Sequence, residues 1–153
     1  MVKVDPKQVS RLRTETGAGV MDCKRALEDA NGDYEKAKSL IAQRGLDKAA
    51  KKSGREANEG LIFAYIHPGG RIGALVDLAS ETDFVSRGEE FRALAQEVAM
   101  QVAAMAPADV DELLGQAYIR DATKTIKDLV TAVAASTGEN VHVRRFQRFA
   151  LGE

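Results

Sequence analysis

The sequence predicts an α+β fold in which three short helices precede a three-stranded antiparallel sheet covered by helices. Apolar residues recur at helical spacing through residues 1–45, and glycines interrupt the pattern where helices should end. Residues 59–67 and 71–79 form two apolar runs rich in β-branched residues, and a Pro-Gly-Gly turn separates them as in a hairpin. An apolar stripe over residues 88–102 is wide enough to cover one sheet face. Helices and strands are therefore segregated along the chain, as in α+β folds.

The first 45 residues contain start and stop signals for three helices. Asp5 is a suitable N-cap, and Pro6 suits the first helical position, where its missing N–H costs nothing. Residues 16–19 hold two glycines and should end the first helix. The second helix is predicted to end at Gly32 and the third at Gly45. So small a unit buries little surface, which indicates that it either packs against the remainder of the chain or binds a partner.

We divide the chain into a helical module at residues 1–45, a basic helical connector at 46–56 and a core and dimerisation domain at 57–153. The connector carries four basic residues against few acids, and two alanines favour helix there. Because no aromatic residue is interleaved on which a base could stack, the basic run is interpreted as a solvated face.

The first predicted strand is apolar on both faces, so both faces should be covered. Two helices, near residues 88–105 and 123–136, can pack against one side of the sheet, and residues 141–149 supply its third strand. A second copy of the chain is the natural cover for the other face, because a two-fold dimer lets one patch cover itself. Leu61, Phe63 and Tyr65 lie on one face, and Ile62, Ala64 and Ile66 lie on the other.

Residues 81–87 form a corner between the hairpin and the following helix, a place where binding residues are commonly presented. Ser86 and Glu89 have the spacing of a capping box and predict the helix start, which leaves Asp83 and Phe84 near the tip. Spacing alone favours Asp83 as a cap and Phe84 as a packed core residue. The alternative is that the acid and the aromatic together form a wedge.

The titratable residues do not assemble into a recognisable catalytic or metal site. The chain has one cysteine, Cys23, and two histidines, His67 and His142, with no serine or cysteine nucleophile beside either histidine in a known setting. The glycines of residues 16–19 lack the lysine and hydroxyl of a phosphate loop. We therefore expect a binding protein that is not an enzyme and that needs no cofactor or metal.

Charge and hydropathy restrict the partners and the compartment. Twenty-two basic and 23 acidic residues give a net charge of -1, which provides no general attraction to nucleic acid or to a membrane surface. The N-terminus lacks an apolar secretory core, and no run is long enough to cross a bilayer. These features, with a single cysteine, predict a cytoplasmic protein without direct nucleic-acid or membrane partners.

Three motifs in order make the chain resemble translation elongation factor Ts, the guanine-nucleotide exchange factor of elongation factor Tu. They are TGAGVMDCKRAL at residues 16–27, TDFV at residues 82–85, and GENV at residues 138–141 with Arg144 and Arg145. The resemblance covers most of the chain. It implies that the helical module is similar to ubiquitin-associated domains and is followed by an α+β core with a three-stranded sheet.

The resemblance also implies a role for the corner. Phe84 would insert between side chains of elongation factor Tu near its magnesium region, and Asp83 would support that intrusion. Gly138 would belong to a neighbouring contact, and the start of the second helix would add apolar contacts. The implied partner-binding residues are Val20, Met21, Thr82, Asp83, Phe84, Val85 and Gly138.

The chain departs from the family pattern at a few places. Ala79 and Ser80 replace a more typical Asn-Cys pair before the corner, and Thr137 stands where an apolar residue is usual. The segment between Pro107 and Thr123 is brief, and one core unit is present where longer members have two halves. Short members of this kind resemble the homodimeric form of the family, although Gln147 replaces the cysteine that can bridge such dimers.

Two other functions compete with nucleotide exchange. The chain could be an adaptor that binds ubiquitin-like proteins through the helical module, which would leave the corner without a function. Alternatively, the basic connector and the arginines of residues 144–148 could bind RNA or the ribosome, and that binding would fall steeply with added salt.

Overall fold

The computed structural model describes residues 2–153, so the first residue of the predicted helical module lies outside the described part. It confirms the α+β class. Among the described residues, no helix combines the length and the apolar character needed to cross a membrane. In chain order the elements are α1 (Pro6–Thr16), α2 (Val20–Asp29), α3 (Tyr34–Lys52), β1 (Glu59–Ile66), β2 (Ile72–Ser80), α4 (Asp83–Ser86), α5 (Glu89–Met105), α6 (Val110–Gly115), β3 (Ala117–Tyr118), β4 (Asp121–Thr125), α7 (Ile126–Thr137) and β5 (His142–Ala150).

Helices α1 to α3 pack around a small core of their own. Asp5 caps α1 as predicted, because its side chain accepts a hydrogen bond from the Lys7 N–H at 2.9 Å. Gly17 ends the same helix in the left-handed region, with φ of 71°. Small residues fill much of this core, which lets the helices approach closely. Its buried members are Leu12, Cys23, Ala26, Leu27, Ala30 and Ala37.

The expected stop at Gly45 is wrong, because α3 runs on to Lys52. A glycine in a helix interior costs only about 1 kcal/mol relative to alanine, and the residues that follow are mostly good helix formers. Ion pairs also fasten this helix to α2, with Lys48 Nζ 3.3 Å from the Asp22 carboxylate and Arg44 paired with Asp29. The predicted basic connector therefore begins as the last turns of α3.

The three-stranded sheet has the order β1-β2-β5, and all its neighbours are antiparallel. Helix α5 packs directly on its inner face, and α7 packs against α5 and contributes to the same core. The predicted cover of one sheet face is therefore confirmed for α5. The alternation predicted for β1 is also confirmed, because Leu61, Phe63 and Tyr65 pack against this core. On the outer face, Ile62 and Ile66 remain exposed.

A shift in strand pairing places two arginines beside one buried acid on the outer face. The register between β2 and β5 shifts between Asp77 and Leu78. Arg144 and Arg145 each reach the Asp77 carboxylate at 3.3 Å, although successive residues of a regular strand point to opposite faces. Asp77 is therefore buried with its charge compensated on both sides.

The region between α5 and α7 contains a hairpin that the sequence did not predict. Helix α6 follows α5, and the helix expected from Thr123 begins at Ile126 because β4 occupies the residues before it. The fully buried Gln101 holds this hairpin. Its amide donates to the Ala117 carbonyl at 3.0 Å and accepts from the Ile119 N–H at 3.1 Å.

Candidate partner-binding corner

The corner is a single turn of helix between β2 and α5. Thr82 is the N-cap of α4, and its hydroxyl accepts a hydrogen bond from the Val85 N–H at 3.3 Å. Asp83 is therefore the first residue of the turn, and its predicted capping role is wrong. Ser86 closes the turn by donating to the Asp83 carbonyl at 3.1 Å, and α5 begins afterwards with Gly88 as its N-cap. The Ser86–Glu89 capping box predicted from spacing is therefore wrong, because Ser86 ends a separate turn and no side chain caps α5.

The turn points its two apolar side chains in different directions. Val85 packs against the main core, whereas Phe84 is 86% exposed. The expectation from spacing that Phe84 packs in the core is therefore wrong. Asp83 forms an exposed pair with Arg87, with 3.1 Å between carboxylate and guanidinium. Surface pairs of this type contribute about 0–1 kcal/mol, so the turn needs other support.

The loop between α7 and β5 supplies that support. Gly138 ends α7 with φ of 75°, and Glu139 follows it. The Glu139 carboxylate accepts hydrogen bonds from the N–H groups of Glu81 and Thr82, both at 3.0 Å, and from the Thr82 hydroxyl at 2.6 Å. In return, Glu81 accepts from the Asn140 N–H at 2.6 Å. Each of the two loops therefore accepts hydrogen bonds from the other.

Arg55 connects the end of the basic connector to the same place. Its guanidinium lies 3.5 Å from the Glu81 carboxylate and 3.5 Å from the Gly138 carbonyl oxygen. Its own carbonyl accepts from the Asn140 side-chain amide at 2.8 Å. Sequence reasoning missed both Arg55 and Glu139. The GENV motif could have pointed to Glu139, but only its glycine was assigned a role.

The residues that depart from the family pattern fit their surroundings. Ser80 is fully buried, and its hydroxyl donates to the Thr82 carbonyl at 2.9 Å beneath the corner. Ala79, which precedes Ser80 in β2, is also fully buried. Thr137 turns its hydroxyl back to the Val133 carbonyl at 2.8 Å and so satisfies it within α7. The hydroxyl groups of Ser80 and Thr137 therefore both have hydrogen-bond partners.

The predicted site residues fall into two groups. Thr82, Asp83, Phe84 and Val85 form the turn, and Gly138 lies in the loop that supports it. Val20 and Met21 belong to the helical module, where they are exposed in the first turn of α2. An apolar groove beside Val20 is lined by α1 and α2 and carries two basic residues. Its lining is Val4, Pro6, Val9, Ser10, Arg13, Val20 and Lys24.

Burial shifts the pKa of two of the reactive side chains considered in the sequence, Cys23 and His142. Burial raises the pKa of the Cys23 thiol, which lowers its thiolate fraction at neutral pH. Burial, assisted by Arg144, lowers the pKa of His142. Within residues 2–153, no group of three or more His, Cys, Asp or Glu side chains is arranged to hold a metal ion.

Comparison with known proteins agrees with the motifs. Residues 81–153 match the family model described as Elongation factor TS. Curated proteins named Elongation factor Ts align over nearly the whole chain. That of Carboxydothermus hydrogenoformans is 43% identical over 98% of this chain and 90% of its own length. That of Caldanaerobacter subterraneus is 42% identical over 98% of both chains, and that of Thermosynechococcus vestitus is 41% identical over all of this chain and 67% of its own length.

The alignment with the first of these relatives extends over 195 positions, more than the 153 residues of this chain. That relative therefore contains residues without a counterpart here, which agrees with the compact organisation of this chain. Because the alignment spans 98% of this chain, the similarity includes the helical module as well as the core. On this evidence the chain belongs to the elongation factor Ts family of translation elongation factors.

Proposed function

We propose that the chain is a guanine-nucleotide exchange factor that binds elongation factor Tu with GDP and promotes GDP release during translation elongation. Family membership supports this proposal, and the single observation that carries it is the exposure of Phe84 on a braced turn. A large aromatic side chain that is not used for packing within its own chain is available to a partner. Aromatic anchors of this kind contribute much of the binding energy at interfaces.

The mechanism follows from linkage between two binding equilibria. A G protein holds its nucleotide through phosphate contacts and a magnesium ion. If Phe84 inserts only where those contacts are disturbed, this chain binds the nucleotide-free form more tightly than the nucleotide-bound form. By reciprocity the bound factor then weakens nucleotide binding by the same factor, typically by roughly 5- to 150-fold. Asp83 supports the insertion, and Thr82, Val85 and Gly138 form its base.

The helical module is proposed to be ubiquitin-associated-like and to make a second contact with elongation factor Tu. Val20 and Met21 are exposed at the start of α2, beside the groove between α1 and α2. Exposed apolar side chains at the end of a packed helix suit an interface. Two separated contacts would let the factor hold its partner while the nucleotide leaves.

The proposed role requires no chemical step by this chain. Exchange changes the occupancy of the partner's site and breaks no covalent bond, so the chain would act as a binding protein without a catalytic residue or a cofactor. It would work in the cytoplasm, where translation elongation takes place. Its direct partner would be a protein, with neither nucleic acid nor membrane at the interface.

Release of labelled GDP from elongation factor Tu tests the main proposal. Substoichiometric amounts of this chain should accelerate release, because each molecule can act on many partners. Unlabelled GDP in excess prevents rebinding, and heat-denatured chain serves as the control. Absence of acceleration at saturating chain would overturn the proposal. A parallel pull-down with ubiquitin separates exchange from the adaptor function, since an adaptor would retain ubiquitin and leave GDP release unchanged.

We further propose that the chain forms a homodimer through the outer face of its sheet. Large apolar side chains on all three strands are exposed there, and the Asp77–Arg145 pair lies among them. A patch carrying both apolar groups and an ion pair can cover itself across a two-fold axis. The exposed apolar members are Ile62, Ile66, Leu75 and Phe149.

Leu75→Glu is expected to convert the dimer into a monomer, because it would place two unpaired carboxylates in the apolar interface. Ile119→Glu is the matched control, since Ile119 is 44% exposed on the small hairpin and Leu75 is 46% exposed. Sedimentation equilibrium should give twice the monomer mass for the wild type and for Ile119→Glu. A monomeric wild type, or a Leu75→Glu variant that remains dimeric, would contradict the proposed interface.

A further inference from the structure

We infer that Glu139 is a positioning residue that holds the turn bearing Phe84 in its presenting conformation. The inference rests on the proposed exchange function for its biological meaning, whereas the conformational effect can be measured without a partner. Glu139 lies outside the turn and reaches it through hydrogen bonds to Glu81 and Thr82. It therefore acts on Phe84 through the backbone of the corner.

Both carboxylate oxygens of Glu139 are used at the corner. One oxygen accepts from two successive N–H groups, those of Glu81 and Thr82, each at 3.0 Å. The other accepts from the Thr82 hydroxyl at 2.6 Å. Hydrogen bonds to an ionised acceptor are shorter and stronger than neutral ones. Three of them on two adjacent residues set the direction in which the chain leaves β2.

The Thr82 hydroxyl carries this constraint into the turn. Because it donates its only proton to Glu139, its lone pairs face the other way and accept from the Val85 N–H at 3.3 Å. Phe84 lies between these two fixed residues. Its own ring is 86% exposed, so packing within the chain contributes little to its placement. The hydrogen bonds of its neighbours Thr82 and Val85 consequently set the orientation of Phe84.

Glu139 is itself held in place, which a positioning residue requires. It directly follows the left-handed cap at Gly138, and its neighbour Asn140 donates backbone and side-chain hydrogen bonds to Glu81 and Arg55. The supporting loop therefore cannot turn away without breaking contacts to two separate segments.

Exchange rates of Glu139 variants test the inference. At a subsaturating concentration, Glu139→Ala is expected to promote GDP release roughly tenfold more slowly, in line with the loss of hydrogen bonds to a charged group. Glu139→Gln should keep most of the activity, since its amide oxygen can still accept from both N–H groups. Glu112→Ala is the control, because Glu112 also braces a backbone N–H, that of Ala108 at 2.5 Å, and should leave the rate unchanged.

A double-mutant cycle separates positioning from general stability. In the Phe84→Ala background, Glu139→Ala should slow release by less than about twofold, because coupled residues show non-additive effects. If the tenfold effect persists there, Glu139 does not act through Phe84 and the inference fails. An unchanged rate for Glu139→Ala in the wild-type background would also overturn it.

Amide hydrogen exchange of the isolated chain gives a readout that does not depend on elongation factor Tu. The N–H groups of Glu81, Thr82 and Val85 should exchange at least tenfold faster in Glu139→Ala, while core amides of β2 keep their protection. Equal protection at the corner overturns the inference even if exchange activity exists. Lost protection combined with an inactive wild type would support the inference and refute only the proposed function.

Discussion

Phe84→Ala is expected to slow GDP release from elongation factor Tu by roughly 30-fold or more, the effect typical of a hot-spot aromatic. The ring is 86% exposed and supports no core, so thermal unfolding should stay within a few degrees of the wild type. Initial release rates at several concentrations of the factor would show whether affinity or maximal rate is lost.

Glu90→Ala is the control for this prediction. Glu90 lies nearby in the first turn of α5 and accepts from the Ser136 hydroxyl at 3.0 Å, on the side that faces α7. Its loss should change the exchange rate by less than about twofold, as for surface substitutions away from an interface. Equal rates for the two variants would contradict the role assigned to Phe84.

Phe91→Ala is expected to lower the free energy of unfolding by about 3–5 kcal/mol, because it removes a large buried side chain and leaves a cavity. Phe91 is 1% exposed and sits in the core between α5 and the sheet. Such a loss is a large part of the roughly 5–15 kcal/mol that stabilises most domains. Urea unfolding followed by circular dichroism measures it.

The matched variant is Phe84→Ala, which deletes the same side chain seven positions earlier. It should change the unfolding free energy by less than about 0.5 kcal/mol, as expected for an exposed site. A similar loss of stability in both variants would show that Phe84 packs in solution, and the turn would then need a different interpretation. The two variants thus separate an aromatic used for stability from one left for a partner.

The contrast between these phenylalanines shows where sequence patterns suffice. Phe91 recurs with Leu94, Ala95 and Val98 at helical spacing, and such a stripe must face a core. Phe84 belongs to no repeating pattern, because its turn is only four residues long. Spacing therefore favoured a packed ring, and only the motif of the family indicated an exposed one.

Local signals also predicted the three-stranded sheet and both ends of α1. The two apolar runs around the Pro-Gly-Gly turn became β1 and β2, and Asp5 capped α1 as expected, because alternation and capping depend on neighbours within a few residues. At Gly45 a local rule failed. A glycine weakens a helix by only about 1 kcal/mol, and ion pairs between α3 and α2 favour its continuation.

By itself, then, the sequence determined the α+β class, the three strands of the main sheet and the division of the β1 residues into two alternating faces. Only the tertiary structure revealed how the corner is held. Glu139 and Thr82 are 57 residues apart, and no periodicity links such positions. Their contact exists because β2 and β5 pair as neighbours and bring the ends of two loops together, which a pattern of local preferences does not encode.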